Sequence, residues 1–76
     1  MRYGLYSIKD NVTGKYGDIY IAINENQAVR QFDLICSKSD FAKDLSLFAL
    51  GNYNLDTGVI ESSVDFIKNG VDYEEK

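Results

Sequence analysis

Residues 22–32 read AINENQAVRQF, and the change of pattern inside this stretch decides the fold. Up to Ile23 the chain alternates: Ile19, Ile21 and Ile23 are interleaved with Tyr20 and Ala22. A period of two, rich in β-branched and aromatic residues, is a strand signal. At Asn24 the period breaks. Asparagine is a favoured helix N-cap because its side-chain oxygen accepts an amide of the first turn. Gln27 stands three residues on, where a capping-box side chain reaches back to the cap's own amide. Glu25 places negative charge at the positive end of the helix dipole. Beyond the cap, Ala28, Phe32, Ile35 and Cys36 fall on one face at helical spacing, and Val29 widens that stripe. Arg30, Gln31 and Asp33 face away. The stretch is therefore a strand end, a cap and an amphipathic helix over 25–37.

Working outward, two segments resemble each other. Residues 10–14 read DNVTG and residues 54–58 read NLDTG. Each opens on a side chain that accepts turn amides and closes on a glycine suited to the left-handed conformation. Alternating apolar runs flank both, so each reads as a hairpin connection. Strands are expected at 2–9, 17–23, 45–53 and 58–63. Between the helix and the third strand, SKSDFAKD has the composition for a short helical turn capped by Ser39. Gly51, inside the third strand, signals a bulge or a close backbone approach.

These elements predict an α+β fold. Two β-hairpins flank one amphipathic helix (ββαββ), with the helix on one face of a four-stranded antiparallel sheet. Residues 1–63 form one small domain. Residues 64–76 form an acidic C-terminal tail, partly docked through Val64, Phe66 and Ile67 or frayed, with Gly70 as a stop. The tail carries much of the charge. From residue 1 to 60 there are six Lys or Arg against seven Asp or Glu, and from 61 to 76 two against five, for a net charge of -4.

The residue inventory excludes much chemistry. With no histidine, neither a Ser-His-Asp nor a Cys-His nucleophile system is available. The single cysteine, Cys36, cannot form an intrachain disulfide, and its place on the apolar stripe marks it as a small buried hydrophobe. Asp40 and Asp44 stand one helical turn apart without further ligands beside them. No catalytic residue, metal site or cofactor is expected, and the chain does not read as an enzyme. No apolar run approaches the roughly 20 residues of a membrane span. The start, MRYGLYSIKD, has no signal-peptide core. A chain this short buries only about 60% of its unfolded surface. Without a disulfide or metal, self-association as a homodimer is the expected supplement.

Tyr3, Tyr6, Tyr16, Tyr20, Phe48 and Tyr53 all fall on or beside strands. One helix covers one face of a sheet, so part of this set must meet solvent, a partner or a ligand. Tyrosines on an open sheet face can stack unpaired bases. The candidate nucleic-acid-binding residues are Arg2, Tyr3, Tyr6, Lys9, Lys15, Tyr16, Tyr20, Arg30 and Tyr53, the cations serving as phosphate contacts. The competing reading places the tyrosines in a core or a protein interface.

The order of YSIKD at 6–10, NENQAVRQF at 24–32 and DLSLFALGNYNLDTGVI at 44–60 resembles the small nonstructural protein of gokushoviruses, single-stranded DNA phages of the Microviridae. The resemblance spans about residues 5 to 62. It implies a protein of the infected bacterium's cytoplasm, not carried in the virion, that assists viral DNA replication or single-stranded DNA synthesis. It implies no catalytic residues. Gly17-Asp18 stands where many relatives have proline, and the segment from Ser62 onward has no counterpart. Two functions follow. One is an accessory protein that binds single-stranded DNA as an oligomer. The other is a dimeric adaptor or regulator of a phage or host replication protein, without DNA contact. No membrane partner is expected.

Overall fold

A computed structural model describes residues 1–70. It shows an α+β fold with one α-helix and an antiparallel sheet of five strands. The strands are β1 (Arg2–Asp10), β2 (Lys15–Tyr16), β3 (Tyr20–Ala22), β4 (Leu45–Asn54) and β5 (Ile60–Asn69), and the helix is α1 (Glu25–Ser37). β1 and β4 are central. β2 and β3 both pair with β1 on one side, and β5 pairs with β4 on the other.

Both Thr-Gly segments are hairpin turns with the same construction. Asp10 Oδ1 accepts the amide of Val12, and the Asp10 carbonyl accepts that of Gly14. Asn54 Oδ1 accepts the amides of Asp56 and Thr57, and its carbonyl accepts that of Gly58. Gly14 and Gly58 take φ of 76° and 78°, the left-handed conformation the turns need.

The helix begins where Asn24 caps it: Asn24 Oδ1 accepts the Gln27 amide at 2.9 Å. Gln27 does reach back, but its Oε1 accepts the amide of Ile23 rather than of Asn24. At this point the chain is still extended, with φ -153° at Asn24, which presents the preceding amide instead. Ala28, Phe32 and Cys36 are buried and pack on Tyr6, Ala22 and Leu47 of the sheet. Ile35 is 43% exposed, contrary to the helical stripe. It lies about 60° around the helix from Phe32, three residues being 300°, outside the packed cluster that Ala28, Phe32 and Cys36 make with the sheet. Asp33, expected in solvent, is half-buried because Lys68 of β5 pairs with its Oδ1 at 3.1 Å.

Of the strand expected at 17–23 only Tyr20–Ala22 is strand, and Lys15–Tyr16 form a separate short strand ahead of it, so the sheet has five strands where four were expected. The Gly17 amide donates to the Ile8 carbonyl, and its own carbonyl accepts the Ser7 hydroxyl at 2.9 Å. These bonds anchor the chain at Gly17, and the ladder resumes only at Tyr20. The last strand runs to Asn69 instead of stopping at 63, so residues 64–69 belong to the sheet. Residues 71–76, the rest of the expected tail, lie outside the described residues. Ser39 Oγ accepts the Phe41 amide ahead of a single 3-10 turn at Ala42–Asp44. Gly51, at φ 136°, follows the bulge in β4, and a Cβ there would run into the carbonyl of Glu61. A polar relay closes one end of the sheet. Asn11 Nδ2 donates to Ser46 Oγ, which donates to Asn69 Oδ1, both at 2.8 Å. Ser46 is 3% exposed, and no described buried side-chain polar atom lacks a partner.

Candidate functional site

Alternation along the strands sorts residues onto two faces. Tyr6 pairs with Tyr20 across β1 and β3, and both pack under the helix. Their neighbours therefore point the other way. The face away from the helix carries Tyr3, Leu5, Ser7 and Lys9 of β1, Tyr16 of β2, Phe48 and Tyr53 of β4, and Phe66 of β5, following the cross-strand register.

At one end of this face an aromatic row crosses the sheet. Tyr16 and Phe48 meet edge to face, with centroids 5.4 Å apart and planes at 76°. Phe48 and Phe66 repeat the geometry at 5.8 Å and 74°. Such contacts add about 0.5–1.5 kcal/mol each beyond area burial. The row forms because β1 carries a small residue between them. Ser7 pairs with Phe48, is fully buried, and turns its hydroxyl to Gly17. Lys9 Nζ lies 5.4 Å from the Tyr16 centroid and 5.7 Å from that of Phe48. This holds a cation against the rings. Tyr16 and Phe66 are 43% and 54% exposed, so the row is open to an incoming flat group. Tyr3 and Tyr53 are paired directly and half-buried at the other end. Four residues separate Tyr3 from Ser7, roughly 13 Å along the strand.

The acidic strand residues lie on the opposite face. Asp10 pairs with Leu45, Glu61 with Asn52 and Asp65 with Ala49, all in helix-side positions. Among the described strand residues of the aromatic face, Lys9 is the one charged group.

The nine residues singled out from the sequence thus divide. Tyr3, Lys9, Tyr16 and Tyr53 share the open face. Tyr6 and Tyr20 do not: their rings lie 6.1 Å apart beneath the helix, and the Tyr20 hydroxyl donates to the Ala28 carbonyl at 3.0 Å. Burial, and secondarily Glu25, pushes the Tyr6 phenol up. Burial, and secondarily Tyr6, pushes that of Tyr20 up to about 12. Both are neutral core phenols. Arg2 and Lys15 stand on the helix side of their strands, Arg2 near Asn52, Asn54 and Glu61. Arg30 is exposed on the helix, beside Gln31 and Leu34. Phe48 and Phe66 were not among the nine. Phe48 stood among the strand aromatics, and the signal for Phe66 was alternation: Ile60, Ser62, Val64 and Phe66 keep a period of two into what reads as a tail. Cys36 is 2% exposed, and burial followed by Asp33 raises its thiol pKa, with Lys68 acting in the opposite sense. No described helix is long and apolar enough to cross a membrane.

The fold and this surface define a small α+β domain whose sheet is covered by the helix on one side and carries aromatic side chains on the other. The family places it further. A model of the Phage ORF5 protein family matches residues 3–73, nearly the whole chain, and this phage protein belongs to that family. No curated protein and no solved structure matches the chain.

Proposed function

We propose that this phage protein is a non-enzymatic accessory factor that binds single-stranded DNA as an oligomer and assists viral DNA replication or single-stranded DNA synthesis. The setting is the cytoplasm of a bacterium infected by a gokushovirus-like phage. One observation carries the reading: Tyr16, Phe48 and Phe66 form a row on an open sheet face, with Lys9 against the rings and no acidic strand residue on that face. Aromatic rings accept any base by stacking, worth roughly 1–3 kcal/mol per base, and need no sequence readout. The interface is drawn from Tyr3, Lys9, Tyr16, Phe48, Tyr53 and Phe66. Tyr6 and Tyr20 serve the core.

With one cation on the face, stacking outweighs counterion release. The slope of log affinity against log salt for single strands is about -0.7 per phosphate contact. Fluorescence anisotropy with oligo-dT is therefore expected to show a shallow salt dependence and a preference over duplex. Phe66→Ala and Tyr16→Ala each weaken binding by roughly 5- to 150-fold, the equivalent of one lost stack, while Arg30→Ala leaves it unchanged. Absence of binding at tens of micromolar in low salt, for the full chain and for a chain ending at Gly70, rules the reading out.

A second reading has its own observation. Ile19, Ile21 and Ile23 are 50–60% exposed on and beside β3, and the chain carries a net charge of -4. Apolar exposure with negative charge suits a dimeric adaptor that docks on a phage or host replication protein and never touches DNA. Capture of a replication protein by the wild type but not by Ile21→Lys, without oligonucleotide binding, selects it.

A further inference from the structure

β5 is ten residues long and lies at the border of the sheet, with no described strand on its outer edge. An edge of that length offers a row of backbone donors and acceptors to another strand. The opposite border differs. There β3 has three residues, and the amide of Ile23 just beyond it is already taken by Gln27.

We propose that β5 pairs antiparallel with β5 of a second copy about a two-fold axis through Val64, joining two sheets into one of ten strands. The register follows from charge and face. Phe66 stands opposite Phe48 and Ser62 opposite Gly51 on the aromatic face, and Asp65 opposite Ala49 on the other; the β4 register shifts opposite Ser63 and Val64, and strand alternation places Val64 with Phe66 and Ser63 with Asp65. A two-fold through Val64 sets Val64 against the partner's Val64 and Phe66 against the partner's Ser62. It also sets Asp65 against the partner's Ser63, a hydroxyl facing a carboxylate. A shift of the axis to Ser63 sets Glu61 against the partner's Asp65. A shift to Asp65 sets the two aspartates against each other. Like charges directly opposite are destabilising, so both neighbouring registers are disfavoured. The axis also keeps like faces together. Val64 and Phe66, 65% and 54% exposed in one copy, gain apolar neighbours, and the two aromatic rows share one surface. The pair is isologous and closes on itself. It deepens the oligomeric part of the proposed function but stands on the strand edge, and its test contains no DNA.

Sedimentation of the full chain across the micromolar range is expected to give twice the 8.6 kDa of one copy. Val64→Lys sets two cations against each other on the axis and is expected to yield a monomer with unchanged far-ultraviolet circular dichroism. Val64 is 65% exposed, so the variant folds. Val64→Cys is expected to crosslink under mild oxidation into a covalent dimer bridged at residue 64. Glu61→Cys does not crosslink, because six residues of offset separate its two copies by roughly 20 Å. A monomeric wild type overturns the proposal. So does a dimer that Val64→Lys leaves intact, or equal crosslinking at residues 61 and 64.

Discussion

Tyr20 shows how one side chain links core and surface. Its ring packs near Tyr6 and its hydroxyl holds the Ala28 carbonyl in the first turns of the helix. The environment favours the neutral phenol and pushes its pKa from 10.0 up to about 12. The folded state thus keeps a proton that the unfolded chain releases. Stability from this group is fully present below pH 10 and is lost as pH rises toward 12. Tyr20→Phe removes both the titration and the hydrogen bond, at a cost of about 0.5–1.5 kcal/mol near neutral pH. Urea melts are expected to show a constant gap between wild type and variant below pH 10, narrowing above it; a gap constant through pH 12 contradicts the linkage. The burial of Phe32 and Cys36 was legible from helical spacing. The burial of Tyr6 and Tyr20 was not. A tyrosine in an alternating strand points up or down with its neighbours, and only the helix's position says which side is dry.

At the scale of elements, the two Thr-Gly turns and the Asn24 cap were readable because their chemistry is local. An asparagine oxygen, an amide two or three residues on and a glycine at positive φ need nothing from the rest of the chain. Gly14→Ala and Gly58→Ala meet no atom within 4 Å, so each costs backbone strain alone. That strain is about 1–2 kcal/mol. In a small domain, circular dichroism melts should register about 4–8 °C per kcal/mol. Gly51→Ala is different in kind. Its Cβ would meet the Glu61 carbonyl and the Ser62 backbone of the neighbouring strand. The β4–β5 pairing must then part, and cooperative melting is expected to disappear. Equal melting shifts for the three alanine variants would contradict this assignment. The split between β2 and β3 was hidden because it depends on Ser7 and Ile8 reaching Gly17 from another strand.

For the whole molecule, β5 is the element that ties the parts together. Lys68 pairs with Asp33 of the helix, Asn69 completes the Ser46 relay, Ile67 packs on the core, and Phe66 ends the aromatic row. A chain cut after Ser63 loses all four. A domain of this size holds only about 0.05–0.15 kcal/mol per residue, so that chain is expected to melt far lower or without cooperativity. A chain cut after Gly70 keeps all four and serves as the comparison. Matching melts for both truncations would show that the second half of β5 is dispensable.

The amino-acid sequence by itself determined the helix over 25–37, its Asn24 cap, both hairpin turns, the close approach at Gly51 and the α+β class. Each rests on contacts within a few residues or on a period that one element repeats. Only the tertiary structure decided that β1 and β4 lie side by side at the centre and that residues 64–69 extend the sheet. It alone put Tyr16, Phe48 and Phe66 in one row while sending Tyr6 and Tyr20 under the helix. Those outcomes depend on pairing between segments about forty residues apart, such as Ser7 with Phe48. A strand's pattern states that it has two faces, and the strands beside it decide which face the helix takes.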